Sequence, residues 1–117
     1  MTESNTTEPG ATGTSTSNKV AMVGTITCQD GKADEMAAVL AEMVAAARNE
    51  PGVDAYTYLR GEGNEFWFFA LMRDAESMQQ HGQTPAMKSA MEAFMPLMAE
   101  PPQMRVTSPI AAIGLEL

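Results

Sequence analysis

The chain predicts an α+β fold of the ferredoxin-like kind, β-α-β-β-α-β, in which a four-stranded antiparallel sheet carries its helices on one face. Three observations predict it. An apolar, β-branched segment changes to a three-to-four-residue period after a Gln-Asp-Gly turn. Two strand-like segments flank a glycine-bearing turn. A second helical period then gives way, behind a pair of prolines, to a last short strand.

Residues 1–18 are nearly all Thr, Ser, Gly, Asn, Glu and Pro, too polar to offset the entropy of ordering, and are expected to form a disordered tail. The folded domain is expected over residues 19–110, with 111–117 as a C-terminal tail. Val20 to Thr27 is rich in β-branched residues and ends at the turn formers Gln29-Asp30-Gly31, so it reads as the first strand. From Ala33 to Arg48, the residues Met36, Val39, Leu40, Met43, Val44 and Ala47 fall on one helical face. Asp34 and Glu35 occupy the first turn, where the helix dipole favours negative charge, and Pro51-Gly52 ends the helix.

Asp54 to Arg60 and Glu65 to Met72 read as a hairpin about Gly61-Glu62-Gly63-Asn64. Asp74 is placed to cap a short helix through His81, and Thr84-Pro85 opens a longer one with an N-cap and a proline in the first turn. Its apolar face is expected to be Met87, Met91, Phe94, Met95 and Met98. Pro96 lacks an amide hydrogen and should kink or restart the helix, since a continuous one would lose about 3 kcal/mol there. Glu100-Pro101-Pro102 closes the element, and Met104 to Ile110 is expected as the last strand.

Composition excludes several function classes. A net charge of −8, with only 7 Lys and Arg scattered along 117 residues, argues against gripping nucleic acid or anionic lipid. The single cysteine, Cys28, allows no intrachain disulfide and fits a reducing, cytoplasmic setting. No run is long and apolar enough to span a bilayer, and the N-terminus has no signal-peptide pattern, so Asn5-Thr6-Thr7 is not expected to be glycosylated. One His and one Cys far apart make no zinc site, and no calcium-loop pattern occurs.

Phe66-Trp67-Phe68-Phe69-Ala70-Leu71-Met72 is apolar at every position, whereas a strand with one wet face should alternate. Two helices shield one side of such a sheet. The other side therefore calls for a partner, and a two-fold homodimer is the expected solution.

His81 is the only histidine and the natural candidate for a general base; the competing reading is a hydrogen-bonded structural histidine at a helix end. Tyr56 and Tyr58 alternate with Thr57, so both face one side of the sheet, either to bind a substrate oxygen or simply to pack. Phe66, Trp67 and Phe68 offer stacking surfaces for an aromatic substrate, or core. Met91 is one of 11 methionines that would line an adaptable cavity or form a soft core. Arg73 beside Asp74 and Cys28 at a strand end read as a solvated pair and a packing residue.

Gly31-Lys32-Ala33-Asp34-Glu35, Glu50-Pro51-Gly52, Phe66 through His81-Gly82-Gln83-Thr84-Pro85, and Ala99-Glu100-Pro101-Pro102 together resemble the antibiotic-biosynthesis monooxygenase family, notably its quinol-monooxygenase-like members. The resemblance implies a dimeric α/β barrel and, as in several members, oxidation of phenols or hydroquinones by O₂ without metal, flavin or haem. It also brings departures. Ala70 and Met72 stand where members usually carry Glu-x-Trp, and Ala86 stands where they carry the His of Thr-Pro-His. The Asn, Trp and His of the haem-degrading branch align with Gly24, His81 and Met91, so that activity is not expected.

The expected function is thus a cofactor-independent monooxygenase acting on a hydroquinone or polycyclic phenol. His81 would be the base, and Tyr56, Tyr58, Phe66, Trp67, Phe68 and Met91 the substrate contacts. Its partners would be a small aromatic molecule, O₂ and a second copy of the chain. The alternatives are a non-catalytic dimer that binds an aromatic metabolite, favoured by the departures, and an isomerase or cyclase on the same scaffold.

Overall fold

The computed structural model describes residues 18–117; the expected polar tail, apart from Asn18, lies outside the described residues. The elements are β1 (Val20–Thr27), α1 (Ala33–Ala47), β2 (Val53–Arg60), β3 (Glu65–Met72), α2 (Ala75–Gln80), α3 (Pro85–Phe94), a 3₁₀ turn (Met95–Leu97) and β4 (Gln103–Thr107). The strands form one sheet in the order β2-β3-β1-β4, every neighbouring pair antiparallel. This is the ferredoxin-like arrangement, with the two segment-crossing helices on one face.

Register decides which side chains share that face. Met22, Ala70 and Tyr56 lie abreast across β1, β3 and β2, as do Gly24, Phe68 and Tyr58. The α1 residues Met36, Val39, Leu40 and Met43 pack on this side with Ile26, Phe66 and Phe68, joined by Met87, Ala90 and Phe94 of α3. The period read in α1 is thus the period of its buried face. Gly24 has no room for a side chain: a Cβ there would come 2.0 Å from the Gln103 carbonyl oxygen and 2.9 Å from the Phe68 ring.

Two expectations need correcting. Met95 does not join the apolar face of α3 but is 56% exposed, because Pro96 tightens the chain into the 3₁₀ turn and rotates Met95 outward, leaving Leu97 buried instead. The last strand ends at Thr107, short of Ile110. Pro109 has no amide hydrogen to give the ladder, and Ile110 is exposed.

On the other sheet face, Leu59 and Trp67 are 58% and 48% exposed, beside half-buried Val23 and Phe69. The helices leave this side uncovered, and it is open at the Leu59 and Trp67 end, whereas Ala21 and Leu71 on the same face are only 3% and 1% exposed. The C-terminal segment turns back toward the start of β1, where the Lys19 ammonium donates to the Glu116 carbonyl and pairs with Asp54 at 3.1 Å. Among the described residues, no helix is long and apolar enough to cross a membrane.

Candidate functional site

A cavity of about 340 Å³ lies between the helix-bearing face of the sheet and α1 and α3. The sheet supplies Met22, Ile26, Tyr56, Tyr58, Phe68 and Met104. The helices supply Met43, Met87, Met91 and Phe94, and the turn between α2 and α3 supplies His81 and Gly82. Almost everything but His81 and the two tyrosine hydroxyls is apolar. Five lining residues are methionines, flexible and polarisable enough to adapt to a flat guest.

Local chemistry puts His81 there. Asp74 caps α2 by accepting from the Ser77 amide at 2.8 Å, and those hydrogen bonds hold its carboxyl below the usual range. Six residues later the helix stops: the His81 amide donates to the Ser77 carbonyl at 2.9 Å, and His81 itself is extended. Gly82 follows with φ +90°, a backbone state that side-chain-bearing residues resist, so the chain turns sharply and carries the imidazole inward.

Glu50 meets it from the far side. The residue follows α1, its amide donating to the Ala47 carbonyl at 3.0 Å, and leads into the Pro51-Gly52 turn. That turn is strapped to the end of β3, since Arg73 donates from its amide to the Gly52 carbonyl at 2.8 Å and from its guanidinium to the Pro51 carbonyl. Gly52 is buried against α2; a Cβ on it would stand 2.1 Å from Ser77 Oγ. The close seat brings His81 Nδ1 to 3.0 Å from Glu50 Oε1, with both side chains only 11% exposed. Glu50 Oε2 is buried without a hydrogen-bond partner. Among the described residues His81 Nε2 has none either.

The tyrosines complete the polar wall. Tyr56 meets the imidazole edge to face, with ring centroids 5.1 Å apart and an interplanar angle of 85°. Its hydroxyl lies 2.6 Å from that of Tyr58, whose ring is 5.9 Å from Phe68. Burial, reinforced by the neighbouring phenol, pushes Tyr58 far above the ordinary tyrosine range. Burial also raises Tyr56, partly offset by the Tyr58 hydrogen bond and helped by the Glu50 charge. Both stay neutral. In a hydroxyl pair one proton is used internally, which leaves the other free to donate to a guest.

The cavity therefore gathers His81, Tyr56, Tyr58, Phe68 and Met91 from the sequence candidates. Phe66 and Trp67 are not among them. Phe66 is 2% exposed and floors a separate groove between α1 and β2, whereas Trp67 stands on the open sheet face and donates from its indole to Glu65 at 3.2 Å. Glu50 was missed in the sequence because it read only as the acid before a helix-ending Pro-Gly; its partner lies 31 residues away. Of the departures, Ala70 and Met72 are fully buried, and Ala86 borders a second, more polar cavity of about 660 Å³ on the Glu50 side. No group of three or more His, Cys, Asp or Glu among the described residues is placed to hold a metal ion.

Comparison with known proteins gives a consistent picture. The family model for antibiotic biosynthesis monooxygenases matches residues 19–93. An uncharacterized protein of Synechocystis sp. is 27% identical over 89 residues, covering 74% of this chain; the chain spans 60% of that curated relative's length. A crystal structure from Caulobacter crescentus, named for the same family, superposes with a TM-score of 0.75 at 26% identity over 81% of this chain and 92% of its own. The structure of SnoaB from Streptomyces nogalater, described as a cofactor-independent oxygenase, superposes with a TM-score of 0.73 at 19% identity, covering 84% of this chain and 99% of its own, a likeness of fold.

Proposed function

The chain belongs to the antibiotic biosynthesis monooxygenase family, and from that premise we propose that it is a cofactor-independent monooxygenase that oxidises a hydroquinone or polycyclic phenol with O₂. The observation that carries the reading is the polar edge of the 340 Å³ cavity: one histidine nitrogen without a partner among the described residues, beside a neutral tyrosine pair, in otherwise apolar walls. Nε2 accepts the phenolic proton, which an aromatic ring must lose before O₂ readily draws an electron from it. The tyrosine pair donates to a second substrate oxygen. At the reacting ring carbon a CH₂ in the keto form becomes C=O, one oxygen atom entering the product and the other leaving as water with the two hydrogens. The methionine and aromatic walls hold the ring flat and keep bulk water from the radical pair.

The working unit in this reading is a homodimer, joined through the open sheet face that carries Leu59 and Trp67. A fold relative described as a cofactor-independent oxygenase favours the same chemistry.

The second reading, a dimer that holds an aromatic metabolite without turning it over, draws on Ala70, Met72 and Ala86, which remove a carboxylate, an indole and an imidazole from places where members of the family carry them. Oxygen consumption separates the two. The purified protein mixed with reduced naphthoquinones or anthrones is expected to take up O₂ faster than buffer and to lose that excess in His81→Ala. Thermal stabilisation by the same compounds without uptake selects the binding reading, and an unchanged rate in His81→Ala removes His81 as the base.

A further inference from the structure

We propose that Glu50 is a positioning residue for His81: its part-buried carboxylate holds the imidazole in the tautomer with the proton on Nδ1, which leaves the Nε2 lone pair for a guest in the cavity. The inference rests on the reading of His81 as base, and extends it to a residue outside the cavity wall.

A carboxylate has only acceptors, so a ring nitrogen 3.0 Å from Glu50 Oε1 must present a hydrogen; two lone pairs at that distance would repel. The free imidazole in water prefers the opposite tautomer, with its proton on Nε2. Glu50 thus has work to do in selecting the reactive form. Tyr56, packed at 85° to the imidazole plane, limits rotation that would exchange the two nitrogens. When Nε2 takes a proton the ring becomes a cation inside an apolar pocket, and Glu50 is the carboxylate in contact with it, with Oε2 still unpartnered. The competing arrangement, a neutral Glu50 that donates to Nδ1, would put the proton on Nε2 and abolish the base.

The chain has one histidine, so its two ring nitrogens give a single readable set of signals. Proton–nitrogen correlation spectra of the neutral imidazole are expected to show protonated Nδ1 and bare Nε2 in the wild-type protein, and transfer of the proton to Nε2 in Glu50→Ala. Oxygen-uptake kinetics with a reduced naphthoquinone should show kcat falling roughly 10- to 100-fold, the range known for the orienting partners of metal-bound histidines, with KM within about twofold. Glu50→Gln keeps the volume and guards against an alanine variant that fails to fold; it should retain KM and lose kcat with the charge. A wild-type spectrum with protonated Nε2, or a folded Glu50→Ala that keeps the wild-type spectrum and kcat, overturns the proposal. The expected tautomers with no oxygen uptake from any hydroquinone count against His81 as base while leaving Glu50's hold on it intact.

Discussion

The hydroxyls of Tyr56 and Tyr58 lie 2.6 Å apart inside a cavity that the rest of the chain lines almost wholly with methionine and aromatic carbon. These are the only tyrosines in the protein, so every phenolate signal it gives reports on this pair. Folding raises both above the ordinary value of 10.0, so above that pH the folded chain keeps protons that the unfolded chain releases. Stability is therefore undiminished below 10.0 and declines as pH climbs beyond it. Near-ultraviolet titration is expected to show phenolate appearing together with loss of the folded tryptophan signal. A reversible titration of both tyrosines near 10.0 in a chain that stays folded would contradict the burial of the pair.

Trp67 is the only tryptophan and stands half-exposed on the open part of the sheet face away from the helices. If that face joins two copies, its emission should shift to the red as the protein is diluted, and sedimentation should follow the same curve from dimer to monomer. Trp67→Glu places a charge in the joint and is expected to give a folded monomer. Dilution-independent emission with a monomeric mass at micromolar concentration would rule out this interface.

Gly24 is kept side-chain-free by the Gln103 carbonyl and the Phe68 ring. Gly24→Ala should destabilise by about 1–3 kcal/mol, the usual penalty for overpacking, because β4 must move away from β1. Urea unfolding measures it. Gly24→Asn should cost more, which gives a packing reason why the asparagine of the haem-degrading branch has no place here. A loss below about 0.5 kcal/mol for the alanine variant would mean β4 yields freely.

Thr84 Oγ1 accepts from the Met87 amide at 3.1 Å and so anchors the start of α3, which carries Met87, Met91 and Phe94 of the cavity wall. Thr84→Ala is expected to cost about 1 kcal/mol and Thr84→Ser much less. Equal losses in the two variants would place the effect in the methyl group and not in the cap.

Much of the fold was legible because it depends on neighbours in the chain. The helix face of Met36, Val39, Leu40 and Met43, the caps at Asp74 and Thr84, and the turn chemistry of Pro51-Gly52 are all effects of a few residues' range. The apolar run of β3 called for covering on both sides; the structure has core on one, and on the other buried Leu71 beside exposed Trp67. Two local rules misled at the ends: Pro96 turned Met95 outward, and Pro109 cut β4 short.

The sequence by itself determined the order of elements, the periodicity of each, and that Phe66 and Trp67 must point in opposite directions. Only the tertiary structure decided which of the two faces the helices, because that depends on the hand of the crossover from β1 through α1 to β2 and on the strand register. The same holds for the site. Alternation put Tyr56 and Tyr58 on one face, but no local pattern could join His81 to Glu50, since the contact exists only when Gly52 lets α2 seat against the turn that follows α1 and β3 holds that turn in place. Periodicity is written within a few residues; a part-buried polar pair is written in the packing of elements that meet from distant parts of the chain.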